Sequence, residues 1–282
     1  MAMLLLAQEA IPGGFEVATV DHGLRPEAKD ECALVVAACA ERGVPCEVLT
    51  VQVGAGNVQA MAREARYHAI ADWANAKVIE TVATAHHLDD QVETFFMRLN
   101  RGSGLAGLSA IRESDVVPHP VWIIALVRPL LTFRRAELAG IIASSRVAYA
   151  SDPSNEDDRY DRVRMRKALA ECDWIDFQAV AKSVRLIAET DGILTAFEAE
   201  AIYRQVRWVG GETRFRPTGY ASLDFRIVRS LCFTDEKSVR GDAVWRLLVG
   251  LRRGEGGNVG GVLATIDGDE WVFRPEPPRR TG

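Results

Sequence analysis

The sequence predicts an α/β fold in which a parallel sheet, covered by helices, is followed by a smaller C-terminal domain. Short β-branched segments alternate with segments that carry apolar residues at helical spacing, as in βαβ units. After residue 167 this alternation gives way to one long helical pattern. We therefore predict an incomplete catalytic domain over residues 1–167, with a helical linker and a basic region over 168–282.

The alternation can be followed from the start of the chain. Met1–Ala7 has the pattern of an apolar helix. The predicted strands are Phe15–Val20, Glu47–Val53, Ile79–Ala85 and Val121–Val127. The predicted helices are Pro26–Arg42, Val58–Ala76, one starting at Asp89, Arg134–Ser145 and Phe177–Ile202. Pro26 suits the first position of its helix, and Asn57 is a suitable N-cap.

Composition excludes several classes of protein. The chain has 282 residues, of which 48% are hydrophobic and 26% are charged, so neither a disordered nor a collagen-like protein is expected. Its longest apolar runs are far shorter than the roughly 20 residues that cross a bilayer. The five cysteines form no C-x-x-C pair, and no secretory signal is recognisable. We expect a soluble, cytoplasmic protein with reduced thiols.

The charge is unevenly distributed. The formal net charge is −5, yet residues 98–167 and 202–253 are basic, and nearly all of their cations are arginines. Arginine suits bidentate contacts with phosphate, so a nucleic-acid partner is possible despite the acidic total. Arginines on solvated helix faces are the alternative interpretation.

The densest polar cluster follows the predicted strand Ile79–Ala85. It comprises His86, His87, Asp89, Asp90 and Glu93. In open parallel sheets, ligands bind beyond the carboxyl ends of the strands. Paired carboxylates can hold Mg²⁺, receive a cationic amine or act as a general base, whereas one carboxylate alone would be an ordinary helix cap.

Three smaller groups are weaker signals. His22 and Arg25 follow the first predicted strand, and Arg63 and Arg66 share one side of the Val58–Ala76 helix. Arg101, Gly102, Ser103 and Gly104 form an R-G-S-G segment. Its glycines allow backbone N–H groups to face an anion, although such a segment is more often a helix C-cap.

The strongest basic element contains Arg159, Arg162, Arg164 and Arg166. In an extended segment, the alternating arginines at 162, 164 and 166 would lie on one side. Tyr160 would offer a stacking surface beside them. Arginine next to an aromatic ring suits a phosphate backbone with unstacked bases, as in RNA loops. A salt-bridged surface segment using neighbouring aspartates is the alternative.

Taken together, these motifs resemble those of the tRNA(Ile)-lysidine synthetases, within the PP-loop ATP pyrophosphatase group. The motifs are V-D-H-G-L-R at 20–25, A-R-E-A-R-Y at 62–67, A-H-H-L-D-D-Q-V-E-T at 85–94, R-G-S-G at 101–104 and D-P-S-N…R-V-R-M-R at 152–166. They occur in the family's order and cover residues 1–167. G-N-V-G-G-V at 257–262 is similar to a glycine motif of the family's C-terminal region.

The resemblance implies a Rossmann-like sheet and a ligase that acts on tRNA(Ile) with a CAU anticodon. The enzyme would adenylate the wobble cytidine with ATP, and L-lysine would then displace AMP. By this resemblance, Asp90 and Glu93 would hold Mg²⁺, Asp89 or Asp90 would receive the lysine amine, and Arg63 and Arg66 would neutralise the triphosphate. The residues that would contact the nucleotide are His22, Arg25, His86, His87 and 101–104. Arg159, Arg162, Arg164 and Arg166 would bind RNA, and we keep a homodimer as a candidate assembly.

The sequence departs from the family pattern in one respect. The nucleotide-binding loop S-G-G-x-D-S is absent, and Met1–Ala7 is similar to the helix that follows this loop in the family. We expect that the start codon was assigned at an internal methionine; a degenerate gene is the alternative. The first, central strand would then be missing from the sheet.

Two other functions remain open from the sequence. His86, His87, Asp89 and Asp90 could be the metal ligands of a hydrolase. Without the loop, the chain could also be an RNA-binding remnant that retains the arginine segment but no ATP site.

Overall fold

A computed structural model describes residues 1–23, 27–52, 58–145, 147–149, 157–232 and 241–277. Arg25, Pro26, Asn57 and the D-P-S-N segment lie outside the described residues. The chain divides into two compact units, unit 1 (Met1–Ala188) and unit 2 (Glu189–Gly282). This division lies within a long helix, and the predicted domain boundary at residue 167 stays a prediction.

Unit 1 confirms the predicted α/β class. Its elements are α1 (Ala2–Ala10), β1 (Val17–Asp21), α2 (Glu27–Ala40), β2 (Cys46–Thr50), α3 (Val58–Ala76), β3 (Thr81–Ala83), α4 (Leu88–Leu99), α5 (Leu105–Leu108), β4 (Ser114–Val116), β5 (Ala125–Val127), α6 (Arg135–Ser145) and α7 (Asp161–Ala170). Helix α8 (Phe177–Gln205) begins in unit 1 and contains the division. Among the described helices, none is long and apolar enough to cross a membrane.

The strands of unit 1 form two separate ladders. Strands β1 and β2 pair in parallel, and β5 lies between its parallel partner β3 and its antiparallel partner β4. Strands β1 and β3 belong to different ladders, so no described strand joins them. This agrees with the expectation that the sheet lacks a strand between these two edges.

The predicted strand Val121–Val127 is shorter in the structure and covers only Ala125–Val127. The backbone N–H groups of Val121 and Trp122 both donate to the His119 Nδ1 atom, at 3.1 Å each. Because these donors are used locally, they are not available for a sheet ladder. The antiparallel strand β4 was not predicted.

Two buried clusters position the strand ends. Ala71 and Ala74 of α3 pack with Val82 of β3 and Leu126 of β5, which fixes α3 against the β3–β5 ladder. In the second cluster, α4 packs against α7 and the start of α8 through apolar side chains. These side chains are Leu88, Val92, Phe96, Met165, Leu169 and Phe177.

The segment of the alternating arginines is helical, so its prediction as an extended segment is wrong. Val163 and Leu169 of α7 are buried, and Met165 packs against the cluster that contains Leu88. Burial of this apolar face favours a helix. On a helix, Arg162 and Arg166 share one side, while Arg164 points elsewhere.

Unit 2 contains the end of α8 and an antiparallel sheet that the sequence did not predict. Its other elements are β6 (Val206–Val209), β7 (Glu212–Phe215), α9 (Ala221–Leu231), α10 (Gly241–Arg252), β8 (Gly257–Val259), β9 (Val262–Asp267) and β10 (Glu270–Pro275). The strand order is β6-β7-β10-β9-β8. Val244, Leu248 and Phe273 belong to its core. Gly260 and Gly261 of the G-N-V-G-G-V motif form the β8–β9 turn with positive φ.

Three helices of unit 1 end in the same way. The residue with left-handed φ is Gly43 after α2 (66°), Val78 after α3 (58°) and Gly102 after α4 (67°). In each case, the next N–H donates to a carbonyl five residues back, as in the Schellman motif. Glycine adopts this backbone without strain, whereas valine, which branches at Cβ, does not.

We therefore expect Val78→Gly to stabilise the protein. The Val78 side chain is 85% exposed, so its removal forfeits little packing. Relief of the left-handed strain should outweigh the added flexibility of the unfolded chain and raise the free energy of unfolding by about 1 kcal/mol. Thermal denaturation measures this. Gly43→Val, at the equivalent position of α2, should lower stability. A lower melting temperature for Val78→Gly would contradict the account.

Candidate functional site

The carboxyl ends of the strands in unit 1 carry the predicted polar residues. Asp21 ends β1, is 7% exposed and accepts the Gly23 N–H at 2.9 Å in a local turn. His22 follows it, at the same strand end. Beyond β3, the Thr84 N–H donates to the Val127 carbonyl at 3.0 Å, so the chain leaves β3 beside the end of β5.

His87 and Asp90 fix the start of α4 in a reciprocal cap. The His87 N–H donates to Asp90 Oδ2 at 3.0 Å, and the Asp90 N–H donates to His87 Nδ1 at 3.3 Å. This bond requires an unprotonated Nδ1. The cap uses both residues that the sequence assigned to nucleotide or metal, and it orients them rigidly at the strand end.

Asp89 lies on the other side of the same turn. Its carboxylate accepts hydrogen bonds from Arg134 Nε and Nη2 at 3.2–3.4 Å and from the Arg135 N–H at 2.7 Å. The Arg134 guanidinium lies over the Phe177 ring, 3.9 Å from its centroid. Burial alone would raise the pKa of Asp89, but the hydrogen bonds from Arg135 and Arg134 outweigh it, so the pKa lies below its usual value.

Glu93 is the buried centre of the cluster, since its side chain is only 2% exposed. Arg162 Nε donates to Glu93 Oε2 at 2.8 Å, and Arg166 Nε donates to Glu93 Oε1 at 2.7 Å. Arg162 Nη2 also reaches Asp90 Oδ1 at 3.1 Å. Two of the arginines that the sequence assigned to RNA therefore neutralise the carboxylates of α4.

The other two arginines of this segment are more exposed. The Arg159 side chain is 84% exposed and pairs with its neighbour Asp157. Arg164 is 59% exposed and pairs with Asp161, which also accepts from Arg101 Nη2 at 2.8 Å. Because surface pairs of this kind contribute little energy, these guanidinium groups can exchange their partners for phosphates.

The remaining predicted contacts are placed less closely. Arg63 and Arg66 are exposed on α3, and the Arg63 guanidinium lies 4.9 Å from the centre of the Tyr67 ring. In the R-G-S-G segment, the N–H groups of Gly102 and Ser103 donate to helix carbonyls of α4. They form a C-cap and are therefore not directed at an anion, as the sequence had suggested.

His86 stands at the centre of a positive field. Burial lowers its pKa to about 4; Asp90 opposes this shift, while Arg128, Arg63 and Arg162 add to it. The imidazole is therefore neutral at physiological pH. Arg128, which directly follows β5, was missed from the sequence. Its position after a strand was the one available signal.

A cavity of about 300 Å³ adjoins the Glu93 network. Its lining includes Asp89, Glu93, Arg134, Arg135, Arg166 and Phe177. Charges of both signs therefore stand beside an aromatic ring. The volume lies at the lower end of cavities that hold small molecules.

A divalent cation does not fit the predicted Asp90–Glu93 pair as the structure arranges it. Both oxygens of Glu93 accept from guanidinium groups, and those of Asp90 accept from Arg162 and the His87 N–H. Across the described residues, no three His, Cys, Asp or Glu side chains are arranged to hold a metal ion. The same observation removes the support for a hydrolase that uses His86, His87, Asp89 and Asp90.

Comparison with known proteins is consistent with this geometry. The family model described as "PP-loop domain" matches residues 1–172. The tRNA(Ile)-lysidine synthase of Zymomonas mobilis subsp. mobilis is 37% identical over 99% of this chain and 86% of the relative. The tRNA(Ile)-lysidine synthase of Novosphingobium aromaticivorans is 38% identical over 100% of this chain and 87% of the relative.

A solved structure supports the fold. The U34-tRNA thiolase NcsA from Methanococcus maripaludis, solved with its [4Fe-4S] cluster, matches with a TM-score of 0.54. The match covers 67% of this chain and 68% of that chain, at 16% sequence identity. At this identity the likeness concerns the fold alone.

Proposed function

The chain belongs to the PP-loop family and, within it, to the tRNA(Ile)-lysidine synthases, and we propose that it ligates L-lysine to the wobble cytidine of tRNA(Ile) with a CAU anticodon. As a family member it is an ATP-using, tRNA-modifying enzyme of the ligase type. The observation that carries the finer proposal is the joint placement of a strand-end site and an arginine helix. Glu93 connects the two through Arg162 and Arg166.

The first step is adenylation. The 2-carbonyl oxygen of the cytidine attacks the α-phosphorus of ATP, and pyrophosphate leaves. Arg63 and Arg66 on α3 are proposed to neutralise the phosphates, with His22, Arg25, His86 and His87 around the nucleotide. Fixed positive charge near the strand ends stabilises the negative charge that develops on the departing oxygens.

The second step is aminolysis. The uncharged ε-amine of lysine attacks C2 of the adenylated cytidine and expels AMP. We propose that the cavity beside Glu93 receives lysine. Asp89 and Glu93 attract its ammonium groups, Arg135 attracts its carboxylate, and Phe177 contacts its aliphatic stem. Asp89 or Asp90 would accept the proton that the amine loses. The low pKa of Asp89 favours binding of the ammonium over this second role.

No protein ligand for Mg²⁺ forms part of this proposal. A divalent ion offsets phosphate charge when it accompanies ATP, but the oxygens of Asp90 and Glu93 are taken by the His87–Asp90 cap and the arginines of α7. In this arrangement the two carboxylates act by fixing arginines.

The proposed RNA contacts are Arg159 and Arg164, with Tyr160 between them in sequence and 37% exposed. Arg162 and Arg166 would act on RNA indirectly, because their guanidinium groups are held by Glu93 and orient α7. Arginines of unit 2 offer a second basic surface.

The chain should incorporate labelled lysine into a tRNA(Ile) transcript with a CAU anticodon, and only when ATP is present. Asp90→Asn should reduce incorporation by orders of magnitude, since the arginine at the strand end loses its charged partner. It should leave the affinity for the tRNA nearly unchanged, because Asp90 lies away from the proposed RNA contacts. Filter capture of labelled tRNA measures incorporation.

The matched control is the same tRNA with a changed anticodon, which should accept no lysine. Binding of the transcript without any binding of ATP would contradict the proposal and favour the RNA-binding remnant. Lysine incorporation by Asp90→Asn at the wild-type rate would remove this residue from the mechanism.

Removal of the exposed arginines should weaken RNA binding in a salt-dependent way. Arg159→Ala and Arg164→Ala should each reduce the affinity for all tRNAs alike and make the slope of log K against log salt shallower by somewhat under about 1. Lys182→Ala, an exposed cation on α8, is the control with an equal change of charge. Slopes unchanged in the double arginine variant would place the RNA on other residues.

A further inference from the structure

One buried arginine is left without a function by the arrangement described above. The Arg128 side chain is 5% exposed. Its Nη1 donates to the Arg112 carbonyl at 2.6 Å, and its Nη2 lies 3.9 Å from the half-exposed carboxylate of Asp115. In the described part of the chain, the buried Nε finds no hydrogen-bond partner. A buried cation with so little compensation is costly, and this indicates a missing anion.

The position of Arg128 in the fold makes such an anion useful. It directly follows β5, whose last residue, Val127, accepts the Thr84 N–H at 3.0 Å. Thr84 Oγ1 in turn lies 3.0 Å from His86 Nδ1. Arg128 and His86 are therefore close together at the carboxyl ends of two adjacent parallel strands, where ligands of such sheets bind.

Arg128 does not act alone there. The charges of Arg128, Arg63 and Arg162 all disfavour a proton on His86, and Asp90 is the opposing charge. Arg162 is already paired with Glu93 and Asp90, whereas Arg63 contacts only the Tyr67 hydroxyl among the hydrogen bonds observed. Arg128 and Arg63 thus remain as the two guanidinium groups of this site without a full carboxylate partner.

We propose that Arg128, together with Arg63, binds the pyrophosphate that leaves during adenylation, at the carboxyl ends of β3 and β5. This deepens the proposed function and rests on it for the identity of the anion. A guanidinium offers two parallel N–H donors, which match phosphate oxygens. The neutral imidazole of His86 leaves room for this anion without a further fixed charge.

Calorimetry of the full chain with inorganic pyrophosphate tests the site. Arg128→Met should weaken binding at least tenfold, since it removes a desolvated, charge-assisted contact. Arg128→Lys, which keeps the charge but not the fork, should weaken it by an intermediate amount. Lys182→Met, with the same loss of charge on α8, should bind as the wild type does. Wild-type affinity in folded Arg128→Met would overturn the proposal.

His86 supplies a readout that a purely structural arginine would not change. In the wild type its NMR signals, assigned by comparison with His86→Gln, should titrate near pH 4, in keeping with the lowered pKa. Saturating pyrophosphate should raise this pKa, because an anion offsets the guanidinium charges. If Arg128→Met does not fold, this wild-type measurement decides: a pKa unchanged by pyrophosphate would overturn the proposal.

The two proposals can fail separately. Pyrophosphate binding with the expected His86 shift, but without lysine incorporation into tRNA, would leave the anion site intact and refute the ligase proposal. Lysine incorporation without any effect of pyrophosphate on His86 would do the opposite.

Discussion

The arrangement of the site depends on one buried carboxylate. Glu93 lies on the inner face of α4 and is almost completely excluded from water, so its charge requires strong partners. Arg162 and Arg166, one turn apart on α7, supply them with short hydrogen bonds. Because α4 also begins at the strand end with the His87–Asp90 cap, this single carboxylate ties the arginine helix to the carboxyl end of β3.

The same pairing divides the arginines of α7 by function. The helical period places Arg162 and Arg166 toward Glu93 and leaves Arg164 more exposed, with Arg159 in the preceding turn. Neutralisation within the protein and contact with RNA are therefore assigned to different residues of one short segment. Phosphates can displace the surface partners of Arg159 and Arg164 at little cost, but not the buried partner of the other two.

Much of unit 1 could be predicted from sequence, because strands and helices there differ in period and the strand ends are marked by polar clusters. The helix Val58–Ala76 and the strand ends at Asp21 and His86 are examples. The spacing of R-V-R-M-R misled, since two-residue alternation suggests an extended chain unless the burial of Val163 is known. The partner of these arginines is 69 or more residues away, a distance that no local pattern reveals. Arg128 carries no motif, and its importance depends on burial alone.

A double-mutant cycle between Glu93 and Arg166 tests the central claim most directly. Native-state hydrogen exchange of α4 and α7 amides would give opening free energies for Glu93→Gln, Arg166→Met and the double variant. The account predicts a coupling energy of about 1.5 kcal/mol or more, well above that of the exposed Arg164–Asp161 pair, which should couple by under about 0.5 kcal/mol. Additive effects of Glu93→Gln and Arg166→Met would contradict it.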